Sequence, residues 1–400
     1  MARFFKIDAK NKQGYKWVCV ADGPPDPVTG KRKQIERRAD TKGDAEKRVN
    51  KAIEDLSDRG IDEKKMRSMT FELVAAEWLE FYSKGNVKAS TIRVREKEIK
   101  ILNRYMAKTN INTVTSKGYQ KILYDLDDQK YARTTIEGVH VTAGMIFKYA
   151  IKEKLRKDSP STGAIIPFKL QTVEDIEREN VENEYLEHKE LKEFFEVVRR
   201  YGMKGDLETF YLLAFSGMRS GELCALKTTD ADFDKNEIRI TKTLYNPDNN
   251  MRKYELTPPK TPAGVRTVDI DKSVMEMLKM HLKRQTKAKM AIRHLIEDFH
   301  DQNFIFCRGN GYPYIQKNIL VRMARILKKT SIKKNATPHI FRHTHISMLA
   351  EAGVDITTIM KRVGHDDMDT TLKIYTHVTK KMKHNANQKI ENHFADILKF

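Results

Sequence analysis

The pattern of apolar and polar positions changes character several times along the chain, and each change predicts a boundary. Near the start, the strand-like runs Phe4–Ile7, Tyr15–Ala21 and Lys33–Ala39 are punctuated by the turn-formers Gly23-Pro24-Pro25-Asp26-Pro27 and Thr29-Gly30. Ala45, Val49, Ile53 and Leu56 then recur at helical spacing. Residues 1–65 are therefore predicted to be a small α+β module, a three-stranded sheet plus a helix. From 66 to 165 the period is helical throughout. Apolar residues fall at 71, 74, 75, 78, 79 and 82, and a second helix starts at an expected Ser90 cap. Further helices are predicted near 116–126 and 133–154. This segment reads as an all-α domain.

Residues 166–184 break the pattern. Eight acidic residues between Glu174 and Glu190 face only Arg178 and Lys189, the composition of a linker. Residues 185–385 read as a mixed, mainly α domain with a small antiparallel sheet. Its predicted strands are Glu237–Thr243, Tyr254–Thr257, Arg266–Ile270 and Asn303–Cys307. Residues 386–400 have apolar positions at 394, 397 and 398, which fits a short amphipathic tail helix. The fold class predicted for the whole is multidomain.

Composition narrows the function. A chain of 400 residues is expected to hold two to four domains, at roughly 100–200 residues each. Its 75 Lys and Arg outnumber 55 Asp and Glu, a net charge of +20, which calls for an anionic partner such as nucleic acid. No apolar run reaches the roughly 18 residues of a membrane span, and the first residues lack an apolar signal core. A cytoplasmic, nucleoid-associated location in bacteria is expected, with no membrane partner. Cys19, Cys224 and Cys307 are isolated, so neither a disulfide framework nor a zinc ribbon is expected. The first fifty residues hold 13 basic and 7 acidic side chains. If their sheet presents a basic face, Lys31, Arg32, Lys33, Arg37 and Arg38 are candidate DNA contacts. Arg93 and Arg95 are candidates in the helical domain. A solvated basic surface explains the same charges equally well.

Chemistry is concentrated in the C-terminal half. No nucleotide-cradling GxxxxGK loop and no HExxH pair occurs. In T-P-H-I-F-R-H-T-H (337–345), His339 and Arg342 lie three apart near a predicted helix start, a favourable place for an anion. The three histidines of this run could also be an ordinary polar helix start or, less readily, metal ligands. In F-S-G-M-R-S-G-E-L, Gly217 and Gly221 bracket Arg219, whose planar fork suits two phosphate oxygens and which Glu222 could hold. A structural Arg–Glu pair is the plain alternative. Lys260 lies near the tip of a turn between strands. His365 follows the helix stop at Gly364. Tyr375, taken alone, is an ordinary half-buried aromatic.

Order and spacing change the weight of these features. G-M-R-S-G-E-L (217–223), P-K-T-P-A-G-V-R-T (259–267), H-I-F-R-H-T (339–344), the block ending in V-G-H at His365 and T-x-x-x-Y-T-H ending at His377 resemble the tyrosine recombinases, the integrase family of phages and integrative elements. Val363 departs from the Leu usual there. The resemblance implies a metal- and ATP-independent DNA strand transferase. Tyr375 would be its nucleophile, with Arg219, Lys260, His339, Arg342 and His365 around it and Glu222 in support. The expected layout is an arm-site module (1–65), a core-site domain (66–165) and a catalytic domain (185–385). The expected partners are double-stranded DNA at core and arm attachment sites, a homo-tetramer in the synaptic complex, an excisionase and a host DNA-bending protein. No cofactor is expected. A type IB topoisomerase and a DNA-binding regulator with a degenerate catalytic domain are the rival readings.

Overall fold

The computed structural model describes residues 2–11, 13–25, 32–59, 68–167, 181–259, 261–364, 369, 371–379 and 382. The chain forms two compact units, Met1–Leu170 and Gln171–Phe400.

The first unit opens with an antiparallel sheet of order β1-β2-β3, formed by β1 (Arg3–Asp8), β2 (Tyr15–Pro25) and β3 (Arg32–Ala39). Helix α1 (Lys42–Arg59) follows, capped by Thr41, whose hydroxyl accepts from the Asp44 N–H at 3.1 Å. Cys19, Ile35 and Ala39 pack against Ala45, Val49 and Ala52 of α1. This is the helical stripe expected from the sequence, except that the Leu56 side chain lies outside the described residues. The pleat corrects the idea of one basic face. Successive β3 side chains point to opposite sides, so Lys33 and Arg37 fall with buried Ile35 and Ala39, whereas Arg32 and Arg38 fall on the outer side. Arg38 is also paired with Glu36 at 2.8 Å. Lys31 lies outside the described residues.

Among the described residues, the helices α2 (Phe71–Ser83), α3 (Ala89–Met106), α4 (Ser116–Asp128) and α5 (Arg133–Lys152) follow. Their shared core holds Phe71, Trp78, Leu102, Tyr119, Leu123 and Phe147. Thr70 and Thr115 cap α2 and α4 through their hydroxyls. Ser90 does not cap α3. That helix begins at Ala89 after extended Lys88, with no side-chain cap bond. Arg95, a candidate DNA contact, is ion-paired within the domain. It donates to Glu98 at 2.8 Å and to Thr142 at 2.9 Å, while Thr142 donates to the same carboxylate. Arg93 is half-buried.

The second unit is built from α6 (His188–Tyr201), α7 (Asp206–Ser216), α8 (Ser220–Ala225), α9 (Lys272–Ile292), α10 (Gln316–Leu327), α11 (Ile340–Glu351) and α12 (Ile356–Val363), with residues 371–379 also helical. A small sheet of order β4-β5-β8 joins Ala231–Asp232, Glu237–Ile240 and Arg266–Asp269. Thr243–Tyr245 and Glu255–Thr257 form the separate hairpin β6-β7. The single strand predicted over Glu237–Thr243 is thus broken between two sheets. Asn303–Cys307 is not a strand. Its Phe304, Ile305 and Phe306 are buried in the core and make only single bridges, Lys227 to Phe304 and Cys307 to Pro313. The main core gathers Phe194, Phe210, Leu213, Ile238, Ile319 and Phe341. A second core holds Tyr185, Ile346, Ala350, Ile359, Val363, Ile374 and Val378. Of the acidic run, residues 168–180 lie outside the described residues and Val181–Glu184 is a single 3-10 turn. The predicted tail helix, 386–400, also lies outside them. Among the described residues no helix is long and apolar enough to cross a membrane.

The Arg95–Glu98–Thr142 cluster predicts a stability effect. Arg95→Met leaves the Glu98 carboxylate buried without its cation and should destabilise the first unit by about 3 kcal/mol, read as a lower urea midpoint. An unchanged midpoint would show that the cluster contributes nothing.

Candidate active site

The site begins at the end of α7. Gly217 closes that helix in the left-handed region, with φ +65°. A Cβ there would meet His345 Cδ2 at 2.7 Å, so both the backbone angle and the close approach require glycine. The chain then turns extended at Arg219, the residue that precedes α8. Glu222, in the first turn of α8, reaches back to accept the Arg219 N–H at 2.9 Å and its guanidinium at 3.1 Å. The Arg219 side chain remains 41% exposed, whereas that of Glu222 is 3% exposed.

A second guanidinium holds the other side of Glu222. Arg266 opens β8 and donates Nη2 to Oε2 at 2.9 Å and Nη1 to Oε1 at 3.3 Å. Burial alone would raise the Glu222 pKa, but Arg266, followed by Arg219, more than offsets it and holds the carboxyl below its ordinary value. Arg342, one turn into α11, is fully buried and donates Nη1 to the Gly217 carbonyl at 2.8 Å. Burial first, and Arg219 next, pull its pKa down to about 8.

His339 sits where α11 begins, its ring edge-on to His343 at 4.8 Å. Burial and the neighbouring His343, Arg342 and Arg219 lower its pKa to about 4, although the residue keeps an exposed edge. It is a neutral imidazole at neutral pH. His343 turns away, with Nδ1 at 3.0 Å from the Glu184 carbonyl. His345 is buried, with Nδ1 at 2.9 Å from the Ala214 carbonyl and Nε2 accepting from Arg362 Nε at 3.0 Å. These partners fix its neutral tautomer, and burial, then Arg362, lowers its pKa to about 3. The three histidines do not converge, and no metal-binding group of His, Cys, Asp and Glu occurs among the described residues.

Tyr375 lies on the helical stretch 371–379, half-buried against the second core. That core includes Ile346 and Ala350 of α11, so the helix that starts at the cations also packs under Tyr375. Two residues earlier, Lys373 pairs with Glu184 at 2.5 Å. Lys260 and His365 lie outside the described residues. The segments beside them meet: Gly364 closes α12 at φ +67°, and a Cβ there would stand 2.9 Å from the Ala263 carbonyl and 3.0 Å from Arg266 Nη1. Arg219, Glu222, His339 and Arg342 are thus brought together, with Tyr375 on an adjoining helix. Arg266 was missed in the sequence, although a signal existed. It is in strand phase with buried Val268 and Ile270, and a charged residue at a core-facing position needs a partner.

Comparisons with known proteins identify the family of the chain. Residues 184–382 match the model of the phage integrase family. The prophage ps2 probable integrase of Lactococcus lactis subsp. lactis (strain IL1403) is 33% identical over 365 residues, 90% of this chain and 92% of that protein. Among solved structures, the Tn1549 transposon integrase in complex with a circular intermediate DNA matches with a TM-score of 0.61 at 22% identity, covering 77% of this chain and 95% of that one. A lambda integrase tetramer bound to a Holliday junction matches with a TM-score of 0.55 at 13% identity, covering 90% and 91%. At such identities the structures speak for the fold. The chain belongs to the phage integrase family, the tyrosine recombinases, which are enzymes of site-specific recombination.

The buried histidines predict a pH response. Unfolded, His345 takes up a proton near pH 6.5; folded, it does so only near pH 3. Stability therefore falls as pH drops through that window, by about 1.4 kcal/mol per pH unit for each such group. In His345→Gln the slope of unfolding free energy between pH 6 and 4 should lose about one proton, and an unchanged slope would refute the neutral assignment.

Proposed function

We propose that this recombinase cleaves DNA through Tyr375 and rejoins it by reversing the same step, integrating or excising a mobile element or prophage. The observation that carries this reading is the pair Arg219 and Arg342, an exposed guanidinium held by Glu222 and a buried one held by the Gly217 carbonyl, with Tyr375 on a helix packed against the core of α11. In phosphoryl transfer charge spreads over the nonbridging oxygens, and fixed cations there supply the main stabilisation. Arg219 and Arg342 take these oxygens, with His365 adding a hydrogen bond.

The Tyr375 phenolic oxygen attacks phosphorus in line, and the bond to the 5′-oxygen breaks. His339 is unprotonated at neutral pH, which suits it to receive the phenolic proton. Lys260 supplies a proton to the leaving 5′-oxygen. The product is a 3′-phosphotyrosine, and attack by a 5′-hydroxyl of another strand runs the step backwards. Neither ATP nor a metal takes part in this scheme.

The layout of the chain supports separate roles for its parts. Residues 1–65 engage arm-type sites, 66–165 bind the core site, 185–385 carry out catalysis, and 166–184 link them. Arg32, Arg38 and Arg93 are contacts in this reading. Four copies act on paired sites, as the lambda integrase tetramer on a Holliday junction suggests. An excisionase and a host DNA-bending protein would set direction, and the nucleoid is the place of action.

Tyr375→Phe should bind DNA normally and form no covalent adduct on a nicked duplex carrying the element's recombination core; an adduct from that variant would reassign the nucleophile. Arg219→Lys keeps the charge but loses the fork. Its cleavage rate should fall by about 100-fold while affinity changes by less than about threefold, the signature of an interaction made chiefly in the transition state. Equal losses in both would place Arg219 in binding alone.

A further inference from the structure

Arg266 makes more connections than a structural ion pair needs. Its side chain is 5% exposed, so it has no face left for a ligand. Nη1 and Nη2 bracket Glu222, Nη1 also reaches the Gly264 carbonyl at 3.1 Å, and Nε donates to the Arg362 carbonyl at 2.8 Å. These acceptors belong to three segments that carry the candidate catalytic groups. Glu222 is in the Arg219 turn. Gly264 is in the turn that follows Lys260. Arg362 is in the last turn of α12, ahead of His365. Gly364 closes over the same guanidinium, with room for no side chain.

We propose that Arg266 is a positioning residue for strand cleavage, one planar fork that sets Glu222, and through it Arg219, and fixes the turn Pro262–Gly264 and the end of α12 in register around them. Only arginine has this reach. Its three nitrogens address acceptors in different directions from one rigid plane, whereas a lysine ammonium at the end of a flexible stem serves one centre. Displacing a catalytic group by about 1 Å costs on the order of 100-fold in rate, so the loss of this fork is felt at the phosphate although Arg266 does not touch it.

Glu222 also gives the role a titration signature. The charged groups around its carboxylate are Arg219 beside α8, Arg266 on β8, and Arg342 with neutral His339 at the start of α11. Burial pushes the carboxyl towards protonation, and the Arg266 bonds are the largest opposing influence. If Arg266 is weakened, Glu222 gains a proton as pH falls, and Arg219 loses its anchor.

The proposal rests on the cleavage reading, and one set of assays separates the two. Single-turnover adduct formation on the nicked core duplex is measured from pH 5.5 to 8.5 for wild type, Arg266→Lys, Glu222→Gln and the double variant, beside DNA affinity and far-UV circular dichroism. Arg266→Lys should be folded, bind the duplex within about twofold of wild type, and cleave about 100-fold more slowly, with an acidic limb that wild type lacks. The double variant should be no slower than Glu222→Gln, because both changes cut one link. Cleavage by Arg266→Lys at the wild-type rate, a flat pH profile, losses that multiply in the double variant, or an affinity loss as large as the rate loss would each overturn it. If Arg266→Lys does not fold, Arg266→Gln, which keeps a donor without a buried charge, is read by the same criteria. A wild-type protein that binds the duplex and forms no adduct would instead sink the cleavage reading itself.

Discussion

Everything in the second unit depends on one buried carboxylate among three guanidiniums. A site for a phosphodiester must bring like charges together before any anion arrives, and in a poorly hydrated pocket that arrangement is costly. Glu222 offsets it with one side chain, accepting from the Arg219 backbone and guanidinium and from both ends of the Arg266 fork. The remaining cation, Arg342, is answered differently. Its Nη1 meets the Gly217 carbonyl, at the C-terminal end of α7, where the helix dipole is negative. One net anion and one helix end thus hold three cations, and an excess of positive charge remains at the site.

Packing then ties this electrostatic centre to the rest of the unit. The left-handed turn at Gly217 lets His345 slide beneath it, and His345 takes the hydrogen bond of Arg362. Arg362 continues to the Asp269 carbonyl on β8, and Arg266 returns the connection by donating to the Arg362 carbonyl. Sheet, α12 and α11 are therefore laced by neutral histidine and arginine contacts directly under the cations. Further along α11, Ile346 and Ala350 enter the core that supports Tyr375. The same helix thus presents a cation at one end and packs against the core that holds Tyr375 at the other, so their separation is set by rigid secondary structure rather than by loops.

How much of this could be read beforehand depended on whether the signal was local. Arg219, His339 and Arg342 stood out because each sits in a short motif whose turn or helix start is written in neighbouring glycines and prolines, whereas Tyr375 gained its weight from the order and spacing of the motifs before it. The helical stripes at 71–82 and around Ala45 and Val49 were equally plain, because period alone carries them. Ser90 misled because a serine near a helix start is a good cap only if the backbone turns at that residue, and here it turns at Lys88. Asn303–Cys307 misled because an apolar run buried on all sides looks the same whether or not it pairs with a strand. Arg95 and Arg266 look alike in sequence, as basic residues near a candidate surface. The fold turns each inward to a carboxylate, Arg95 to Glu98 three residues on along its own helix and Arg266 to Glu222, which is far away in sequence.

The choice of arginine at these buried positions follows from the pKa that burial imposes. Arg342 falls from an ordinary 12.5 to about 8 and still keeps its proton at neutral pH. A lysine, with an ordinary value near 10.4, would have less margin against the same burial. Arg266 answers a different need: its bonds help keep Glu222 ionised, and Glu222 in turn keeps Arg219 oriented. Exposed positions are free of that burial. Lys373 can serve at the surface because it stays hydrated and pairs with Glu184. The buried cations must combine permanent charge with several donors in fixed directions, and the guanidinium is the side chain that supplies both.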